Sequence, residues 1–474
     1  MDLSRSLLAG LHRLLLLPLQ IPCDKVQNLV AVMAKEFSGN NSQNYLNFID
    51  AHFFSSLPSQ GNIYTLTPLT DAKGFTKILV ASLQRKVYCL EFTSGRPCMR
   101  EVPFTYIPGG AEIISIDAVN RSVIQEDFII GITIIKKDDV TGQQSHFFNI
   151  YSDWDLNCDS ALDVVSQNCL PLELDFVPYH LYHTKTKTKH GWETVWLLSG
   201  SDSCIHLYHS DDESHSYQEV ECSESFPEFS QTTNITLWMD VFYSSDNKKR
   251  VSGTCGESGT VHMFHVNVEA IPQITASHTV SWDYPSVTVK IFDLKTTLSV
   301  PNFLQGIHRL QNRAPKTDNE DQPHVVVANA LESCFVYSGF VSKCEGYRLP
   351  DSDNSDVVTC CIVCDIDQDG KNEILIGTYG QTVTVYKYNE EPFSWTICHS
   401  INVPCPVLSL AYCDVMGDGS YQLIVMTTTG IHIFQHNPWE LASVIIERLE
   451  TLISLKSAFK LPKEVVQESS QCSG

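Results

Sequence analysis

The chain has 474 residues with a hydrophobic fraction of 43% and an aromatic fraction of 10%, enough apolar material for a packed core and too much for wholesale disorder. Its formal net charge of -23 repels nucleic-acid backbones and anionic membrane surfaces at long range and argues against both as the main partner, unless a local basic patch overrides it. The 17 cysteines, an odd number spread through strand-like segments such as 87–90 (VYCL) and 203–206 (SCIH), read as reduced, buried thiols of an intracellular protein.

In chain order, residues 1–44 come first, an extension expected to be poorly ordered or briefly amphipathic. Its apolar run from Leu14 to Leu17 is preceded by His12 and Arg13 and is too short to span a bilayer, and no later stretch reaches about 18 apolar residues. Direct membrane insertion is therefore not expected. Asn-x-Ser/Thr sequons at Asn40, Asn120 and Asn234 matter only in a secreted chain.

From residue 45 to 436 one hairpin recurs: an apolar strand, a small-residue turn, then a strand rich in β-branched and aromatic residues. Its copies start at Lys77, Asp127, Thr194, Arg250, His324, Glu373 and Gln422, roughly 50–75 residues apart, the length of one four-stranded blade with variable insertions. Seven such hairpins predict an all-β fold, a seven-bladed β-propeller, because each blade exposes apolar faces that only neighbouring blades can cover. The polar segment 312–321 is expected to be a mobile loop, with 350–356 and the acidic stretch 210–214 similar. Such rim loops are either docking sites or tolerated insertions. The basic run 184–190 (TKTKTKH) is expected on a loop before the third hairpin, either solvated or facing an acidic partner such as actin.

Cys360, Cys361 and Cys364 lie in an apolar run without a second Cys/His pair at zinc-site spacing, and read as core. Immediately after them comes the strongest local motif, 365–373 (DIDQDGKNE). Asp365, Asp367 and Asp369 alternate, Gly370 permits a sharp turn, Lys371 offers a backbone carbonyl and Glu373 adds a fourth carboxylate. That donor pattern wraps oxygens round a hard cation and makes the loop a candidate structural Ca²⁺ site. The competing reading is that the aspartates cap their own turn. The twelfth position is Ile376 and the flanks are strands, so the loop is not an EF-hand. It resembles instead the FG-GAP loop of integrin α-subunit propellers, which makes the repeats FG-GAP-like. A second copy, 414–422 (DVMGDGSYQ), has Met416 and Gln422 where carboxylates are needed and is expected to hold no metal.

After the last hairpin, Asn437, Pro438 and Glu440 supply an N-cap, a first-turn proline and a first-turn acid, predicting a helix over 437–461 before a disordered tail at 462–474. Leu441, Val444, Ile445, Leu449, Leu452 and Ile453 form one apolar stripe. It is covered either by the propeller or by a partner, and in the second case Trp439, Leu441, Ile445, Leu449 and Leu452 are the candidate partner-binding residues. Signatures of nucleophile elbows, phosphate loops, zinc proteases and dinucleotide folds are absent. No catalytic residue and no required cofactor is therefore expected.

Several segments together, FTYIP at 104–108, AEIISID at 111–117, GITIIK at 131–136, FNIY at 148–151, LLSG at 197–200 with IHLY at 205–208, and 365–369 with GTYGQ at 377–381, resemble the kaptin family. The resemblance runs with gaps from about Phe54 to the C-terminal helix. It implies a non-catalytic scaffold subunit of the KICSTOR complex, whose partners include another FG-GAP-repeat propeller and which places GATOR on lysosomes. There it switches mTOR complex 1 off when amino acids or glucose run short. The same resemblance implies a cytoplasmic protein, peripheral at the lysosomal surface. Its second implication is association with F-actin in lamellipodia and stereocilia. A propeller hydrolase is the third reading and requires clustered carboxylates at the central mouth.

Overall fold

The computed structural model describes residues 47–443, apart from 56, 94, 123, 139–140, 154–161, 190, 212–215, 233, 296–322, 340–343, 391–392 and 418. One compact unit, Asp50–Gln435, holds the ring; the second comprises Met1–Ile49 and His436–Gly474. The described strands form seven four-stranded antiparallel sheets. In chain order, blades 1 to 6 occupy 66–102, 111–174, 178–220, 236–281, 286–348 and 358–402. Blade 7 takes its first three strands from 407–436 and its fourth from Phe48–Phe54, near the other end of the chain. The seven repeated hairpins are the second and third strands of the seven blades.

The second strands explain why those hairpins stand out. Glu373–Thr378 and Gln422–Thr427 are buried at every position, because neighbouring blades cover both faces, and they read as continuous apolar runs. Outer strands meet solvent, and Gln273–Ser281 of blade 4 alternates exposed and half-buried residues. First strands line the axis. Each touches the next around the ring, and the contact of Val407–Cys413 with Leu66–Thr70 closes it. In blades 2 to 7 the first strand carries a register shift against the second, as between Thr236 and Trp238 or Val407 and Ser409. A bulge there bends and twists the strand, which fans each sheet away from the axis.

Hydrophobic clusters fill the spaces between blades. Leu79, Cys89, Ile113 and Ile132 join blades 1 and 2; Phe148, Leu181, Trp196 and Tyr208 join blades 2 and 3; Val80, Leu90, Ile424 and Met426 join blades 7 and 1. The described cysteines are free thiols. Cys360 and Cys361 sit buried in the first strand of blade 6, and burial pushes the Cys360 thiol up to about 12, as core packing requires.

The basic run departs from its expected place. Residues 184–188 belong to the first strand of blade 3, Pro178–Thr188. Thr184 and Thr186 are buried, while Lys185 lies over the rings of Trp192 and Tyr243 and Lys187 donates to the Glu269 carbonyl. The T-K alternation has period two, the signature of a strand with one covered face.

Candidate functional site

The axis is the usual place for propeller chemistry, and here its polar groups face each other. Asp117 in the first strand of blade 2 accepts from Thr67 Oγ1 of blade 1 at 3.2 Å and from the His183 backbone N–H of blade 3 at 2.6 Å, and its Oδ2 lies 2.7 Å from His183 Nδ1. Asp240 of blade 4 repeats the device. It accepts from the Ile291 N–H of blade 5 at 2.8 Å, from Lys290 Nζ at 3.3 Å and from the Tyr182 hydroxyl at 3.2 Å. Opposite these aspartates in register stand Gly131 and Gly253. A Cβ at Gly131 would meet Leu181 Cδ2 at 2.7 Å, and one at Gly253 would meet Val289 Cγ2 at 3.0 Å. The glycines thus let the next blade's first strand come close enough to donate. Burial opposes ionisation of Asp117, but the charge and hydrogen bonds of His183 outweigh it and hold the carboxyl below its ordinary range.

Tyr64, just before blade 1, crosses the ring. Its hydroxyl donates to the Leu237 carbonyl of blade 4 at 2.8 Å, and its ring lies 5.6 Å from His180 and 5.9 Å from Trp238. The Tyr64 carbonyl accepts from Ile116 N at 3.0 Å and Asn62 donates to Ile114 O at 2.9 Å, which ties the same segment to blade 2. One tyrosine therefore links blades 2, 3 and 4 through the axis. The two channel aspartates join blades to each other instead of presenting a free acid–base pair.

The loop of blade 6 gathers its acidic residues. Asp365 Oδ2 accepts from Gly370 N at 3.0 Å, Asp367 Oδ1 from Asp369 N at 3.2 Å, Asp369 Oδ1 from Lys371 N at 2.8 Å, and Glu373 Oε2 from Ile366 N at 3.0 Å. Gln368 and Gly370 take positive φ, 60° and 89°, the turn that the glycine was expected to permit. Carboxylate oxygens of Asp365, Asp367 and Glu373 lie within 4.8 Å of one another. Lys371 does not join them with its side chain; its ammonium pairs with Glu390 at 2.8 Å.

A further cation, not expected from the motif, sits among these oxygens. Lys387 Nζ, from the third strand Thr382–Glu390, bonds Asp367 Oδ2, lies 2.7 Å from Asp369 Oδ2 and stands 3.8 Å from Glu373 Oε1. Burial opposes the charge on Lys387, yet its hydrogen bonds to Asp367 and Asp369 hold it above the usual lysine range. Burial, then the nearby Asp367 charge, push Glu373 up to about 8. Glu373 and Lys387 are equidistant from the turn 379–381, a mirror relation that would have revealed Lys387 once the hairpin register was known.

Of the candidate partner-binding residues, Trp439 is 57% exposed, while Leu441 is buried; Ile445, Leu449 and Leu452 lie outside the described residues. Residues 438–443 are helical. Asn437 caps them: its Oδ1 accepts from Trp439 N at 3.1 Å and its carbonyl from Leu441 N at 3.0 Å.

Seven blades, a closing strand from near the opposite end of the chain and an axis bridged by its own side chains define a seven-bladed β-propeller. Its relatives narrow this. The family model of KICSTOR complex protein kaptin matches residues 48–446. KICSTOR complex protein kaptin of Mus musculus is 33% identical over 405 residues, covering 84% of this chain and 90% of that protein. The chain belongs to the kaptin family.

Proposed function

We propose that this chain is a non-catalytic scaffold subunit of the KICSTOR complex, that it helps bring GATOR to the lysosomal surface, and that it thereby restrains mTOR complex 1 when amino acids or glucose are scarce. The observation that carries the reading is the family match over almost the whole ring, joined to an axis whose aspartates and Tyr64 are engaged in linking blades. A rigid ring with varied rim loops offers several docking faces without chemistry. Trp439, exposed on a capped helix, is the described residue best suited to a partner's groove. Direct F-actin binding, the alternative, has less support, since Lys185 and Lys187 of the basic run are held against aromatic rings and a backbone carbonyl.

Pull-down of the tagged full chain from fed and starved cells, with partners identified by mass spectrometry, tests the proposal. Recovery of KICSTOR and GATOR subunits is the expected result. Actin and its regulators alone would replace this reading with the cytoskeletal one.

A further inference from the structure

The molecule contains its own control for the acidic loop. Blades 6 and 7 carry the same turn: Gly370 N donates to Asp365 and Ile366 N to Glu373 in one, Gly419 N to Asp414 and Val415 N to Gln422 in the other. A neutral glutamine thus does the backbone work of Glu373, so the turn does not require the carboxylate. The cross-strand partner changes with it. Gln422 pairs in register with Gln435. Ile374 pairs with Tyr386 in blade 6, which places Glu373 opposite Lys387. The acid and the lysine therefore occur together in blade 6, and both are replaced by amides in blade 7.

Glu373 Oε1 is the second sign. The side chain is 1% exposed and this oxygen has no hydrogen-bond partner, while Glu373 brings a carboxylate oxygen within 4.8 Å of those of Asp365 and Asp367. A buried carboxylate oxygen without a donor is costly unless a cation stands before it. One ammonium at 3.8 Å answers three converging carboxylates incompletely. The three donors are all carboxylate oxygens, the set that hard divalent ions take. The Lys387 side chain keeps 28% of its surface in solvent, so its flexible stem has an outward path.

We propose that Asp365, Asp367 and Glu373 form a divalent-cation site at which calcium and the Lys387 ammonium compete for one position, the lysine serving as counter-ion when metal is absent. Calcium entry swings Lys387 out and gives Glu373 Oε1 a direct partner; calcium loss returns the lysine. Asp369, on the lysine's other side, holds the ammonium in its resident position.

The test uses the purified full chain stripped with chelator, with calcium alone as the probe, in calorimetric titration and thermal unfolding. Lys387→Met is expected to bind calcium at least about tenfold more tightly than wild type, since it removes the competitor. The double variant Glu373→Gln with Lys387→Gln copies blade 7 and is expected to fold and to bind none. Equal affinity in wild type and Lys387→Met, including no binding by either, overturns the proposal, as does calcium retention by the double variant. Should Lys387→Met prove too unstable to titrate, wild type and the double variant are compared at about 10 mM calcium, above the range of weak extracellular-type sites. A calcium-dependent rise in melting temperature confined to wild type supports the cation site; no difference between the two rejects the proposal.

Discussion

Arg250 is the most deeply buried cation described, with 1% of its side chain exposed beside Glu228 at 0%. It donates to Glu228 and to the Ser225 carbonyl, both at 2.9 Å, and lies 4.2 Å from the Phe226 ring centroid. The pair pins the connection between blades 3 and 4. Glu228→Gln leaves a buried guanidinium without its counter-charge and is expected to cost about 3 kcal/mol or more, whereas replacing both partners with apolar residues costs less; denaturant midpoints of the single and double variants measure the difference. His180 gives a pH dependence. Its Nδ1 accepts from the Met239 N–H at 3.2 Å, a role open only to neutral imidazole. Burial and the Lys290 charge lower its pKa from 6.5 to about 3. Between those values the unfolded chain binds the proton and the folded chain does not, so stability falls as pH drops below about 6.5, by roughly 1.4 kcal/mol per pH unit. His180→Gln should remove that part of the slope in unfolding measured from pH 7 to 5.

The elements show where sequence pattern stops. Tyr64→Phe removes one hydrogen bond across the ring and should cost about 0.5–1.5 kcal/mol, while Tyr64→Ala also opens a cavity and should cost about 3–5 kcal/mol; unchanged midpoints for both would show that the tyrosine does not hold the axis. The seven central hairpins were legible because burial on both faces concentrates apolar residues in their second strands. The turn of the acidic loop and the Asn437 cap were legible because each is set by neighbours within a few residues. What escaped depends on register or distant contact. Lys387 lies across a strand pair from Glu373, and Tyr64 finds its acceptor on blade 4. Residues 184–188 were misjudged because lysine composition was weighed above the T-K period that Pro178–Thr188 displays. Phe48–Phe54 gave no hint of its place, since its partner strand is near the other end of the chain.

At the scale of the whole molecule, the proposal that the C-terminal helix docks a partner is tested by truncation. Truncation after Gln435 removes Trp439 and the rest of the helix. It should abolish co-purification with the complex's propeller subunit while far-UV circular dichroism keeps its β signal; unchanged co-purification rejects the helix as the docking element. Deleting residues 1–54 should do the reverse of a local change. It strips blade 7 of its fourth strand and leaves Ile431–His436 as an unpaired edge, so a lower melting temperature and concentration-dependent aggregation are expected in calorimetry and light scattering. That closing strand also sets a schedule for synthesis. Phe48–Phe54 leaves the ribosome about 380 residues before the strand it must join, a wait on the order of 20–80 s at ordinary translation speeds. Throughout that interval FIDAHFF, with Phe53 and Ile49 still partly exposed even in the finished fold, has nowhere to pair within its own chain. The nascent polypeptide therefore carries a sticky, unpaired ribbon until the last hairpin emerges, and chaperone demand should track that delay.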